Sequence, residues 1–138
     1  MLRRATAVLL AGLVVASLSA CGGDEGDSGG AKDEKITLGF SQVGAESGWR
    51  TANTTSIQDA AKAAGIDLKF SDAQQKQENQ IKAIRSFIQQ RVDVIAFSPV
   101  VESGWDTVLK EAKDNNIPVI LTDRAVDSKD TSLYKTFI

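Results

Sequence analysis

The chain has 138 residues, with 16 basic and 18 acidic side chains, a formal net charge of −2 and no histidine. The near balance of charge argues against the basic surface that nucleic-acid binding requires, so no nucleic-acid partner is expected. The lack of histidine excludes Ser-His-Asp and Cys-His catalysis as well as His-containing metal sites. No stretch matches G-x-G-x-x-G or a phosphate-binding P-loop, so the sequence predicts no cofactor and no metal.

The first 21 residues have the layout of a secretory signal. Two arginines precede an almost wholly apolar run at residues 5–15, and small residues close the segment at Cys21. The apolar run is too short for a comfortable membrane span, and the order of charged, apolar and small residues is typical of an export signal.

"LSAC" followed by two glycines resembles the lipobox of bacterial lipoproteins, in which the cysteine becomes the lipidated first residue. The alternative is an idle free thiol, because Cys21 is the only cysteine and cannot form an intrachain disulfide. We predict lipidation of Cys21, which would place the protein at the outer face of the cell membrane or in the periplasm.

Residues 22–34, "GGDEGDSGGAKDE", are too polar to bury a core and are predicted to be a flexible tether. Residues 35–138 are then the folded part, long enough for one modest core. Their final run, "LYKTFI", ends on an apolar residue with no helix after it. We therefore expect this domain to be truncated relative to a complete protein.

Strand and helix patterns alternate from residue 35 onward. The sequence predicts strands at 35–40, 66–72, 92–100 and 117–123, helices at 48–64, 77–90 and 103–115, and a fifth strand within 133–138. This alternation with short connections predicts an α/β fold with a doubly wound parallel sheet. Trp105 lies in the apolar stripe of the third helix, so it is expected in the core.

In open α/β sheets, ligands bind outside the carboxyl ends of the strands. The loops there deliver carboxylates, guanidiniums, amides, hydroxyls and one tryptophan: Ser41, Gln42, Glu46, Ser47, Trp49, Arg50, Asp72, Gln74, Gln75, Ser98, Pro99, Asp123 and Arg124. Carboxylates accept hydrogen bonds and arginine donates from a rigid fork, while an aromatic plane covers an apolar C–H face. The set therefore favours a ligand covered in hydroxyls, such as a sugar.

Each of these residues also has an ordinary structural interpretation. Trp49 shares its helical spacing with Ala52, Ile57, Ala60, Ala61 and Ala64, so it could pack in the core. Glu46 could simply favour the positive end of the first helix, and Asp123 with Arg124 could be a loop ion pair.

An enzyme interpretation rests on Glu46 and Asp123, the only plausible carboxylate pair for sugar hydrolysis. Their separation decides whether such a pair could work. Ser47 stands in "GAESG", which is not G-x-S-x-G, and no histidine could activate it. A non-enzymatic binding protein is therefore favoured.

Three runs carry a family resemblance: "GFSQVGAESGWR", "DAQQKQENQIKAIRSFIQQRVDVIAFSPVVESGW" and "LKEAKDNNIPVILTDRAVD". They resemble the type I, LacI-like sugar-binding lipoproteins and periplasmic proteins of ABC transporters, and among these the galactofuranose-binding members. The resemblance implies a two-lobed, non-enzymatic receptor that closes on one monosaccharide and presents it to a membrane permease. This chain would supply the N-terminal lobe of that fold, with the second lobe absent.

The resemblance also implies a set of ligand-binding residues, which are Glu46, Ser47, Gly48, Trp49, Arg50, Asp123 and Arg124. The family's other contacts lie in the second lobe, so this chain would hold half a site. The alternatives are a receptor for another pentose or hexose, a sugar-sensing lobe of a signalling system and, weakly, a glycoside hydrolase. A repressor is disfavoured by the export signal.

Overall fold

A computed structural model describes residues 35–138. The predicted signal, Cys21 and the predicted tether lie outside the described residues, so those predictions are not tested by it. Within residues 35–138, none of the helices has the length and apolar character needed to cross a membrane.

Strands and helices alternate as the sequence predicts. The strands are β1 (Thr37–Gln42), β2 (Asp67–Asp72), β3 (Val94–Phe97), β4 (Val119–Leu121) and β5 (Thr136–Phe137). The helices are α1 (Gly48–Ala63), α2 (Gln77–Gln89) and α3 (Asp106–Asp114), with a turn of 3-10 helix at Thr131–Leu133. All neighbouring strands are parallel, in the order β2-β1-β3-β4-β5, which confirms the predicted doubly wound sheet.

Helices cover both faces of the sheet. Gly39 of β1 faces α2, because a Cβ built on it would lie 2.5 Å from the Phe87 ring. Gln42, of opposite parity in the same strand, is hydrogen-bonded to Asn53 of α1. Since alternate residues of a strand point to opposite faces, α1 lies on one face and α2 on the other.

The main core lies between the sheet and the helices α2 and α3. Trp105 is 1% exposed, its ring centroid is 4.9 Å from that of Phe97, and its indole N–H donates to the carbonyl of Val101 at 2.7 Å. The prediction that Trp105 belongs to the core is confirmed. On the surface, Arg85 of α2 pairs with Glu111 of α3, and its hydrogen bond lowers the pKa of the Glu111 carboxyl.

Several predicted boundaries are wrong. Strands three and four are shorter than the apolar runs that predicted them, although Val92 and Ile117 are buried. Burial and ladder pairing are separate properties: after Ser98 the backbone leaves the sheet, and the amide of Val100 donates to the Gln80 side chain instead. The first strand runs further than predicted, to Gln42, because Ser41 and Gln42 continue the ladder opposite Ser71 and Asp72 although they are polar.

The predicted apolar face of the first helix is right only in part, since Ile57 and Ala61 turn inward and its other members do not. Trp49 is 55% exposed, and Ala52, Ala60 and Ala64 are exposed as well. The inward stripe is offset by one position over the first turns of the helix, and its members are Arg50, Asn53, Thr54, Ile57 and Ala61. The N-terminal half of this stripe is polar because it faces Gln42 and the end of the sheet. Core packing of Trp49 is excluded by its exposure.

Candidate functional site

The carboxyl ends of β1 and β4 meet around the guanidinium of Arg50. Arg50 is 4% exposed. Its Nε donates to Glu46 Oε1 at 3.1 Å and its Nη2 donates to Asp123 Oδ2 at 2.7 Å. Its Nη1 donates to Gln42 Oε1 at 3.4 Å. A buried charge is tolerated only when it is paired and hydrogen-bonded, and Arg50 meets both conditions.

The start of α1 brings Arg50 into this position. Ser47 is the N-cap in an extended conformation, and its Oγ accepts a hydrogen bond from the Arg50 amide at 3.1 Å. Serine suits this position because its oxygen satisfies a backbone N–H that the helix leaves free. Gly48 follows as the first helical residue, and a Cβ built there meets no atom within 4 Å. Two predicted site residues are thus accounted for. The Ser47 side chain caps the helix, and the space around Gly48 is open.

Trp49 presents its ring to solvent beside the buried guanidinium. The Arg50 Cζ lies 4.7 Å from the ring centroid, a distance typical of a cation–π contact. Because Trp49 is 55% exposed, much of its aromatic surface is free to cover an apolar face of a ligand.

Asp123 and Arg124 come from the loop after β4. Asp123 has φ = 64°, a left-handed conformation that aspartate tolerates better than most residues, and its amide donates to the Ile138 carbonyl. Its side chain points to Arg50, whereas Arg124 Nη1 donates to the Val100 carbonyl at 3.3 Å and Arg124 Nε lies 3.7 Å from Asp123 Oδ2. The structure therefore brings Asp123 into the Arg50 cluster and leaves Arg124 at its edge.

The cluster keeps unused hydrogen-bonding capacity. A guanidinium carries five N–H donors, and three of Arg50's nitrogens each use one bond. Among residues 35–138, Glu46 Oε2 and Asp123 Oδ1 accept no hydrogen bond. Two donors and two acceptors thus remain, a combination that matches hydroxyl groups, which both donate and accept.

The same geometry bears on the glycosidase interpretation. Such an enzyme uses one carboxyl group as an acid and the other as a base or nucleophile. Here Glu46 and Asp123 both accept hydrogen bonds from one guanidinium. This arrangement suits two acceptors rather than an acid and a base.

Most of the other predicted rim residues do not reach Arg50. Ser41 is fully buried, and in β1 it has the parity of Gly39, which faces α2. Asp72 Oδ1 accepts from the Gln74 amide and closes a turn. Ser98 Oγ and Thr122 Oγ1 are paired at 2.9 Å.

Gly44 allows two loops to approach each other beside the cluster. A Cβ on Gly44 would lie 2.9 Å from Glu46 Oε2 and 3.2 Å from the Gln75 Cγ. Only glycine therefore leaves the Glu46 carboxylate where it is.

Sequence reasoning placed Gln42 at the rim but did not assign it to the binding set. Gln42 is fully buried and bonds to Arg50, Asn53 and Thr54. A signal was present, since Arg50, Asn53 and Thr54 recur at helical spacing as a polar stripe and would face whatever polar group ends the first strand.

A groove of about 270 Å³ lies away from the cluster, beside the amino end of β4, and it is lined in part by Lys113, Pro118 and Tyr134. In the described part of the chain, no group of three or more Asp, Glu, Cys or His side chains could hold a metal ion.

The sequence model of the periplasmic binding protein domain matches residues 38–137. The chain belongs to the periplasmic binding protein family. The match spans β1 to β5, so it includes every residue of the Arg50 cluster. Membership of a family of binding proteins supports the prediction that the chain is not an enzyme.

Individual relatives are similar over the same region. The galactofuranose-binding protein YtfQ of Escherichia coli is 60% identical over 103 residues, covering 75% of this chain and 32% of that protein. A solved structure of a Mycobacterium smegmatis protein in complex with β-D-fucofuranose is 72% identical, with a TM-score of 0.73, covering 74% of this chain and 34% of that one.

A third relative is the periplasmic binding component of the arabinose ABC transporter from Shewanella sp. ANA-3, solved with α- and β-L-arabinofuranose. It is 61% identical with a TM-score of 0.73, covering 74% of this chain and 34% of that one. The chain thus spans about a third of the length of the relatives it matches.

Proposed function

We propose that the chain forms the N-terminal lobe of the substrate-binding component of a sugar ABC importer, and that it binds a monosaccharide in its furanose form, such as galactofuranose. The observation that carries this proposal is the buried Arg50, paired with Glu46 and Asp123 beside the exposed Trp49. A whole receptor would complete the site with a second lobe facing this surface, which accords with relatives about three times as long.

The proposed roles follow from the free hydrogen-bonding groups. The unused oxygens of Glu46 and Asp123 accept from sugar hydroxyls, and the unused N–H groups of Arg50 donate to hydroxyl oxygens. Trp49 covers the C–H face of the ring. Ser47 holds the helix start through which Arg50 is positioned.

Gly48 and Arg124 have supporting roles in this proposal. The space around Gly48 is open, since a Cβ built there would meet no atom within 4 Å, its chain neighbours aside. Arg124 supplies a further donor at the edge of the cluster, where its side chain is about half exposed.

The choice of a furanose rests on similarity. Galactofuranose, fucofuranose and arabinofuranose are named with the three relatives described above, and all are five-membered sugar rings. Another pentose or hexose remains the alternative ligand, because these three already differ in carbon number and substituents.

The proposed partner is a membrane permease that receives the sugar from the closed receptor. The proposed location is the outer face of the cell membrane or the periplasm, with residues 1–21 as signal and lipobox, Cys21 as the lipidated residue and residues 22–34 as tether. Family membership supports export, and the lipobox-like "LSAC" supports the anchor.

Thermal unfolding of the full-length protein tests the ligand class. The probes are methyl β-D-galactofuranoside, the matching galactopyranoside, which cannot interconvert with it, and L-arabinose. A ligand at a hundred times its Kd stabilises the folded state by about 2.7 kcal/mol, so a Tm rise is expected with the furanoside. A rise with the pyranoside alone would replace the furanose assignment, and no response to any sugar would contradict the receptor proposal.

The hydrolase alternative needs its own assay. We expect no release of p-nitrophenol from p-nitrophenyl galactofuranoside or arabinofuranoside at high protein concentration. Measurable turnover that disappears in Glu46→Gln would restore the enzyme hypothesis.

A further inference from the structure

Gln42 ends β1 directly beneath Arg50, and all of its amide hydrogen-bonding capacity is used. Its Nε2 donates to Asn53 Oδ1 at 2.8 Å and lies 3.3 Å from Thr54 Oγ1. Its Oε1 accepts from the Val43 amide at 3.0 Å and from Arg50 Nη1 at 3.4 Å. The orientation of the amide is dictated by its neighbours, because a backbone N–H and a guanidinium can only donate and so must face the oxygen.

We infer that Gln42 is a positioning residue: it sets the plane of the Arg50 guanidinium, and with it the direction of the two N–H groups left for the sugar. This inference rests on the proposed function. Gln42 is fully buried and acts through Arg50 without touching the ligand.

The three acceptors around Arg50 differ in how firmly they are held. Glu46 and Asp123 lie in loops, with side chains 26% and 34% exposed. Gln42 is fully buried, and its backbone is part of the sheet between β2 and β3. The two carboxylates make the shorter bonds and balance the charge of Arg50, while Gln42, at 3.4 Å, holds the third nitrogen from a fixed place in the sheet.

Arg50 and Trp49 are coupled at the same place. The guanidinium carbon lies 4.7 Å from the Trp49 ring, so a rotation of the guanidinium changes the surface on which the ring rests. Without Gln42, Arg50 could still pair with both carboxylates, but the plane of its guanidinium would be less well defined.

A purely structural role is the competing explanation, because Gln42 also ties α1 to the sheet through Asn53 and Thr54. The chain offers a matched control in Gln80, which is likewise fully buried. Gln80 Nε2 donates to the Ser98 carbonyl at 2.6 Å and its Oε1 accepts from the Val100 amide at 2.8 Å. It ties α2 to the loop after β3 and makes no hydrogen bond to Arg50.

The first experiment compares Gln42→Met with Gln80→Met in the full-length protein, by calorimetric titration with methyl β-D-galactofuranoside. Both substitutions should lower the Tm, since each removes buried hydrogen bonds. Affinity should fall about tenfold in Q42M, within the range that coupled neighbours show, and by less than about twofold in Q80M. Equal losses in both variants, or none in Q42M, would overturn the inference.

A conservative substitution separates orientation from packing. Gln42→Glu keeps the acceptor facing Arg50 and Val43, while Asn53 can turn its amide and Thr54 its hydroxyl to donate to the second oxygen. Because each bond of the amide is either kept or reversed, affinity in Q42E should remain within about threefold of the wild type. Affinity as low as in Q42M would overturn a role through that acceptor.

The last measurement needs no ligand. The Nε–H proton of Arg50, assigned by the disappearance of its NMR signal in Arg50→Lys, should exchange slowly with water in the wild type and in Q80M. In Q42M its exchange should be at least about tenfold faster, because the guanidinium samples more orientations. Unchanged exchange would overturn the inference, even if no sugar binds and the proposed function itself has failed.

Discussion

At the scale of single residues, the site is governed by the burial of one positive charge. Removing a guanidinium from water is costly, and Arg50 is tolerated at 4% exposure because two carboxylates and one amide oxygen surround it. These partners leave oxygens and N–H groups unused. The side chains that form the ion pairs of Arg50 with Glu46 and Asp123 are therefore also suited to binding hydroxyl groups.

Asp123 provides a direct residue-scale prediction. Asp123→Asn keeps the shape and tolerates φ = 64°, but it replaces a charge-assisted acceptor with a neutral one. Sugar affinity should fall by about 1 to 1.5 kcal/mol, roughly five- to tenfold, as measured by calorimetry. Asp127→Asn, at an exposed position further along the same loop, should leave affinity unchanged. If D123N bound sugar with wild-type affinity, Asp123 would be only an ordinary ion-pair residue of the loop.

The two tryptophans form a contrasting pair. Trp105→Ala should cost about 3 to 5 kcal/mol of unfolding free energy, because the ring is 1% exposed and packed on Phe97. Trp49→Ala should change stability by no more than about 1 kcal/mol, the loss of an exposed cation–π contact. Urea unfolding measures both quantities.

Sugar titration supplies the second readout for the same pair. We expect Trp49→Ala to weaken binding by about 0.5 to 1.5 kcal/mol, as for other aromatic contacts, and Trp49→Phe to weaken it less. Unimpaired binding by W49A would remove Trp49 from the proposed site.

At the scale of elements, the first helix shows where sequence patterns succeed and fail. Its limits were predicted within one residue, because residues recur at helical spacing from Gly48 to Ala64 and Gly65 is a natural stop. The N-terminal half of its inward face was predicted wrongly, because the pattern followed apolar residues while the buried stripe begins with Arg50, Asn53 and Thr54. A polar stripe is buried here because a second polar group, Gln42, lies opposite it.

The helix start also yields an element-scale prediction. Ser47→Ala removes the hydrogen bond to the Arg50 amide and should cost about 1 kcal/mol in urea unfolding. Lys76→Ala is the matched control, since Lys76 occupies the same position before α2 without a side-chain capping bond, and should have little effect. Equal effects of the two substitutions would show that the Ser47 cap contributes nothing.

At the scale of the whole molecule, we propose that the cluster forms one wall of the sugar site. It lies at the carboxyl edge of the sheet, at the end where β1 and β4 deliver Gln42 and Asp123. The chain spans about a third of the length of its relatives, and the proposal gives the opposite wall to a second lobe. The proposed lipid anchor is joined to this lobe only through residues 22–34, so anchoring and sugar binding should be separable.

Cys21→Ser tests that separation. The full-length wild type should be recovered with membranes and labelled by fatty acid in a cell that exports lipoproteins, whereas C21S should be neither. Sugar affinity of the two should agree within about twofold, because residues 22–34 are predicted to form a flexible tether, which would transmit little to the folded domain. Identical fractionation of wild type and C21S would contradict lipidation.

The order of elements, the parallel sheet and the candidate residues of the loops followed from the sequence alone, because hydrophobic periodicity and turn residues are local properties. The pairing of Arg50 with Asp123 did not, since these residues are 73 positions apart and meet only because the sheet order brings the ends of β1 and β4 to one edge. The exposure of Trp49 and the burial of Gln42 were likewise decided by tertiary structure. Which face of a helix turns inward depends on what lies opposite it, so the polar stripe of the first helix is informative only once Gln42 is placed against it.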